Sequence, residues 1–199
     1  MDRLWDDILA TPVIEVVAVI TGIVYVILIM RRDRRGWIAG AISSLIYVWL
    51  AATARLPMQS ALQAYYVAMA AYGWWSWTRN RDQEGGRIHS WRWRRHAVAL
   101  VVVIIASAAS ARLLASETRA AWPLLDSLTT MVSLLATWMV ARSILQNWLY
   151  WMAADAVMAF LFLQQGHPFT ALLFVFYFIV AVLGFRKWRQ LHRAQTATV

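Results

Sequence analysis

Cysteine is absent from all 199 residues, which excludes disulfides, thiolate metal sites and a cysteine nucleophile. Lysine occurs once, at Lys187, beyond the last apolar segment, so no Schiff base to a retinal-type chromophore can form inside a bilayer. The four histidines, His89, His96, His167 and His192, all stand at the ends of apolar segments or between them. No imidazole cluster is available for a metal or haem, and neither a metal nor any other cofactor is expected. Charge is scarce as well: 15% of residues are charged, against about 25% in an ordinary soluble domain.

What remains is hydrocarbon, with 61% of the residues hydrophobic. A spanning helix needs about 20 mostly apolar residues. Seven segments qualify: 13–30, 36–54, 58–77, 97–115, 123–141, 147–165 and 169–186. Their connections are short and polar, which predicts an all-α integral membrane protein of seven transmembrane helices. The first segment does not read as a secretory signal. Asp2, Asp6 and Asp7 precede it against Arg3 alone, and the basic cluster Arg31–Arg35 follows it.

The net charge of +9 is distributed by side rather than by patch. With the amino terminus outside, the inner connections hold fifteen Arg and Lys residues and the outer ones only Arg3, Arg55, Arg112 and Arg119. That asymmetry predicts an outer amino terminus and a cytoplasmic carboxyl terminus. It assigns the basic surplus to orientation and anionic lipid rather than to nucleic acid. The run Trp91-Arg92-Trp93-Arg94-Arg95 precedes a span and reads as an interfacial anchor. Trp5, Trp37, Trp122 and Trp188 take the same interfacial reading.

Shifted by 111 residues, the chain aligns with itself without a gap from Glu15 to Trp77. Arg31/Arg142, Trp37/Trp148, Leu50/Leu161, Pro57/Pro168, Leu62/Leu173, Tyr66/Tyr177, Ala70/Ala181, Gly73/Gly184 and Trp77/Trp188 match. Tryptophan, proline and glycine in one register are rare coincidences, so two three-span units are expected, over 13–79 and 124–189. The extra span at 97–115, without aromatics or a partner, reads as a peripheral linker. It restores the direction of the second unit, which predicts a 3+1+3 parallel repeat. Ala70 with Gly73, and Ala181 with Gly184, put small residues one turn apart, where the two bundles are expected to close on each other. Glu15 and Asp126 open the first helix of each unit and suit its amino-terminal dipole.

Asp155 is the sharpest single residue. It lies eight residues into the sixth span, about 12 Å from its start at the helical rise. Acids at mid-membrane usually face a cavity or a partner, and no Lys or Arg lies at that depth. The structural alternative is a protonated carboxyl bonded to a neighbouring helix carbonyl. Trp148, Trp151 and Asp155 follow i, i+3, i+7 spacing on one face, and two indoles suit a flat, cationic ring. Gln63 and Tyr66 form a second polar pair on the third span. Tyr66 and Tyr177 are matched, as gate or as architecture. Thr129, Thr130 and Ser133 read as bonding to carbonyls of their own helix. Asp155 has no histidine or second acid at its depth, which argues against an enzyme.

Tyr72-Gly73-Trp74-Trp75-Ser76-Trp77 resembles the YGW-x-x-W signature of the PnuC family of bacterial vitamin transporters. Asn147-Trp148-Leu149-Tyr150-Trp151 is similar to that family's N-W-x-x-W motif, and Asp126-Ser127 and Gly184-x-x-x-Trp188 also match. The resemblance runs from about Glu15 to Trp188. It implies a SWEET-like bundle, a homotrimer in the bacterial inner membrane, and facilitated diffusion of nicotinamide riboside trapped by cytoplasmic phosphorylation. It places the substrate on Trp148, Trp151 and Gln63, to which Asn147, Asp155, Tyr66 and Tyr177 are added as candidates. The expected mechanism has the ring entering between Trp148 and Trp151, polar groups held by Gln63 and Asp155, and the two units rocking. The family's nicotinamide riboside carriers often have Asn where this chain has Asp155, which keeps thiamine and riboflavin open. The alternative of another class is a membrane scaffold with no solute path.

Overall fold

A computed structural model describes residues 13–79, 87–114 and 123–197. Seven helices follow in order: α1 Val13–Met30, α2 Arg35–Thr53, α3 Pro57–Arg79, α4 Trp93–Leu114, α5 Pro123–Ala141, α6 Asn147–Gln164 and α7 Pro168–Ala197. Five of them (α1, α2, α4, α5 and α7) are long and apolar enough to cross a membrane. The other two, α3 and α6, are diluted by the polar residues that the sequence singles out: Gln63 and Tyr66 in one, Asn147 and Asp155 in the other. The chain divides between Arg79 and Asn80 into two compact units. In the first, α2 packs on α1 and α3; in the second, α4 packs on α5, α5 on α6 and α6 on α7.

Four helices end in the same way. Arg32, Arg55 and Ser143 adopt left-handed backbone at φ 60°, 57° and 56°, and Gly166 does so at 78°. After α1, the Asp33 N–H donates to Leu28 O and the Arg32 N–H to Ile29 O. After α5, Ile144 and Ser143 donate to Met139 O and Val140 O. Leu56 and Arg55 repeat the pattern after α2, and His167 and Gly166 after α6. This double bond satisfies the last carbonyls of a helix and turns the chain sharply. The positions concerned, 32 with 143 and 55 with 166, are 111 apart.

The indoles determine the packing within each unit. Trp37 is 1% exposed and meets the Trp77 ring edge-on at 5.4 Å. Trp148 is 2% exposed and meets Trp188 edge-on at 5.6 Å. Each wedge fits because a glycine faces it. A Cβ on Gly73 would lie 2.3 Å from the Trp37 ring, and one on Gly184 2.7 Å from Trp148. One expectation is corrected here: Trp37 and Trp188 are core residues rather than interfacial anchors. Gly73 of α3 and Gly184 of α7 each admit an indole from their own unit. Trp5 and Trp122 lie outside the described residues.

α4, read from sequence as a linker, packs on α5, where the Ser107 hydroxyl donates to Ser127 O at 3.4 Å. Its other face shows Val98, Val101, Val102, Ile104 and Ile105, each more than half exposed. In a chain of this composition such a face belongs to lipid. Glu15 and Asp126 stand in the first turns of α1 and α5, as expected. Thr129 also follows expectation, donating to Leu125 O and Asp126 O of its own helix.

The last helix runs eleven residues past the span read from sequence, to Ala197 rather than 186. This tail holds a strap formed by residues 87–91. His89 pairs with Ile144 in a parallel bridge, donating to Ser143 O and accepting from the Leu145 N–H. Ile88 is 2% exposed; its N–H donates to Gln195 Oε1 at 3.0 Å, and its carbonyl meets His192 Nδ1 at 2.8 Å. Gln146 Oε1 accepts from the Trp91 N–H, and Gln146 Nε2 donates to Ser90 Oγ. His192→Ala is expected to cost about 1 kcal/mol by releasing the Ile88 carbonyl. The check is thermal melting in detergent, and an unshifted transition would show that the tail does not hold the strap.

Candidate functional site

Most of the residues singled out from sequence stand on α6, which begins immediately after the α5 turn. Asn147 is fully buried, and its Nδ2 donates to Ile144 O at 2.6 Å, closing the turn. Its Oδ1 has no partner among the described residues. The position 111 residues earlier is Gly36, so this spare acceptor is peculiar to the second unit. Trp148 Nε1 is also buried without an acceptor, but Trp37 Nε1 is too. An orphan donor shared by both wedges belongs to the packing motif rather than to a ligand.

Asp155 is 5% exposed and makes no hydrogen bond or ion pair to any described residue. The structural alternative, a carboxyl bonded to a helix carbonyl, is therefore not what the chain builds. Leaving a carboxyl group buried and unpaired costs several kcal/mol if it is charged, and about 1–3 kcal/mol even if it is neutral. A position eight residues into a helix, free of arginine or lysine, does not meet that cost by itself.

The two indoles of α6 do different things. Trp148 is shut against Gly184 and Trp188 of α7, so the expectation that it offers an open ring face opposite Trp151 is corrected for this conformation. Trp151 is only partly buried, packing against a cluster of Ala136, Met139, Ile144 and Tyr150 together with Val132, Leu135, Trp138 and Trp91. Trp91 belongs to this cluster, lying 5.9 Å from Trp138 and 5.4 Å from His96. It is therefore not the lipid anchor expected, whereas Trp93 is 73% exposed and keeps that reading.

The sequence missed a polar pair beside Trp151. His96 Nδ1 lies 2.9 Å from the Tyr150 hydroxyl, with the rings stacked at 5.8 Å. Fifty-four residues separate the two, and no local spacing announces them. Tyr177 on α7 is partly buried and edge-on to Phe174, itself stacked on Phe162 at 5.4 Å. It is part of an aromatic layer. Gln63 and Tyr66 belong to the first unit. Gln63 is half-buried and bonds to no described residue, and Tyr66 packs on Tyr65 at 5.9 Å.

Among the described residues no group of three His, Cys, Asp or Glu is placed to hold a metal. The arrangement suits binding: one buried acid, one half-open indole and a spare amide oxygen on a single helix.

The sequence model of the nicotinamide mononucleotide transporter family matches residues 12–190. This chain belongs to that family. It is 25% identical over 178 residues to the riboflavin/roseoflavin transporter RibM of Streptomyces davaonensis, covering 87% of this chain and 83% of that one. It is 23% identical over 202 residues to the nicotinamide riboside transporter PnuC of Escherichia coli K12, covering 88% and 84%. Its fold matches the crystal structure of the vitamin B3 transporter PnuC with a TM-score of 0.72 at 20% identity, over 91% of this chain and 82% of that one. The PnuC resemblance read from Tyr72–Trp77 and Asn147–Trp151 is thus borne out. The protein is a multi-pass membrane transporter of the vitamin transporter family.

Proposed function

We propose that this member of the family carries a vitamin-type nucleoside with a cationic aromatic ring, nicotinamide riboside foremost, across the bacterial inner membrane. Passage is by facilitated diffusion, with phosphorylation on the cytoplasmic side retaining the solute. The observation that carries this reading is Asp155, a buried carboxyl with no partner among the described residues. A cationic ring supplies the missing partner, and an acid without one is hard to account for in a carrier of neutral solutes. Trp151 offers the ring a half-open indole face, and Asn147 Oδ1 offers an acceptor.

The surrounding architecture is proposed as well. The matched helix ends and the two glycine-seated indoles support a 3+1+3 parallel repeat. The basic turns support an outer amino terminus and a cytoplasmic carboxyl terminus. A homotrimer rests on the family resemblance.

A second reading, riboflavin, is supported by the 25% identity to RibM; thiamine remains a third. Thermal melting in detergent separates them, because a ligand that binds the folded form raises the transition. Nicotinamide riboside is expected to raise it most, thiamine less, and riboflavin and nicotinamide mononucleotide little. A shift with riboflavin alone transfers the assignment to riboflavin. No shift with any of the four would overturn the assignment to these vitamins and leave only the family's transporter class.

A further inference from the structure

The turn after α1 and the turn after α5 share their backbone and differ in their chemistry. Both carry a left-handed residue, Arg32 and Ser143, and the same pair of closing bonds. Over five residues the second unit builds this turn as Arg142-Ser143-Ile144-Leu145-Gln146, with one cation. The first unit uses Arg31-Arg32-Asp33-Arg34-Arg35, with four cations and one acid. The turn does not require guanidinium groups at its last four positions, since its counterpart forms there with Ser143, Ile144, Leu145 and Gln146. Burial also lowers Arg32 to about 10, a cost that Ser143 avoids.

The fate of the turn's outer edge differs too. In the second unit the Leu145 N–H donates to the His89 carbonyl of the strap at 2.8 Å. The matching N–H in the first unit belongs to Arg34, and it has no acceptor among the described residues. The Arg34 guanidinium likewise bonds to no described residue. It lies over the Trp74 ring at 5.2 Å, while Arg32 lies over Trp77 at 4.1 Å. Trp74 and Trp77, three apart on α3, hold both cations on one helix face. The Arg34 guanidinium, lying over an indole, keeps its N–H fork open to an oxyanion. Asp33 bonds to Arg35 at 2.7 Å and acts on Arg34 only through space, so the four cations of the turn still outnumber its one acid.

We propose that this turn is a binding site for the phosphate of an anionic phospholipid headgroup, gripped by the Arg34 backbone N–H and guanidinium with Arg32 behind them. A lipid is favoured over a free anion because the last turns of α3 also present Trp75, 52% exposed beside these cations, and open indoles with arginines suit the headgroup layer. The inference does not depend on which solute is carried.

The test compares melting of the full chain in detergent with added phosphatidylglycerol, phosphatidylcholine of the same acyl chains, or inorganic phosphate. Phosphatidylglycerol is expected to stabilise more than phosphatidylcholine, and that preference to fall by at least half in Arg34→Gln. Arg189→Gln, which removes an equal charge from the exposed tail of α7, is expected to keep it. Arg34→Lys, with the charge but not the fork, is expected to lose most of it and serves if the glutamine variant does not fold. An equal fall in Arg34→Gln and Arg189→Gln would reduce the effect to diffuse charge and overturn the site. Absence of any preference in the wild type would overturn it as well. Stabilisation by inorganic phosphate matching that of phosphatidylglycerol, and lost in Arg34→Gln, would overturn the lipid assignment in favour of a soluble phosphate.

Discussion

Asp155→Leu is expected to weaken binding of a cationic ring by more than about thirtyfold, without lowering the melting temperature of the unliganded protein. Losing one partner of a desolvated charge pair costs about 2–5 kcal/mol, and each 1.4 kcal/mol is about tenfold in affinity. The stability forecast has the opposite sign. Asp155 is 5% exposed and bonds to no described residue, so the free protein bears the cost of an unpaired carboxyl group that an apolar side chain removes. Melting in detergent and ligand titration on the same preparation measure both quantities. A carboxyl that only holds helices together would give the reverse, a lower melting temperature with affinity intact. Asp155→Asn keeps an acceptor and loses the charge, and should penalise charged rings more than neutral ones.

Gly73→Ala is expected to cost about 1–3 kcal/mol, the usual range for overpacking a filled interior. The new Cβ would lie 2.3 Å from the Trp37 ring, which cannot retreat, being 1% exposed with Trp77 against it. Gly184→Ala should act in the same direction but less, at 2.7 Å from Trp148. Between helices in lipid there is little to gain from leaving water, so close contact is the main source of attraction and its loss is not recovered elsewhere. Trp37→Phe in the Gly73→Ala background removes the nearest ring atoms and should restore part of the loss. Unchanged melting of Gly73→Ala would show that α2 and α3 separate without penalty, and the wedge would lose its structural role.

The helices were legible because each is a long apolar run ended by arginine, proline or a polar turn. The boundaries of α1 and α5 agree with the sequence reading to the residue. The tail of α7 was not legible: beyond Arg186 the residues are polar, and what keeps them helical includes contacts of His192 and Gln195 with Ile88, more than a hundred positions away. The indoles were legible in number but not in role. Trp37 and Trp188 look interfacial by residue type; Trp37 is buried because Gly73, distant in sequence, leaves room for it, and Trp188 because it meets the Trp148 ring that Gly184 seats. Asp155 was legible by its depth, whereas its lack of partners had to be seen in three dimensions. The closure of Trp148 against α7 was likewise hidden, since i, i+3, i+7 spacing fixes a face and not its neighbour.

The strap has a consequence for biosynthesis. Ile88 leaves the ribosome 104 residues ahead of His192 and 107 ahead of Gln195. These partners of its N–H and carbonyl therefore do not exist until four further helices have been made, and the strap is closed only when the polar extension of α7 arrives.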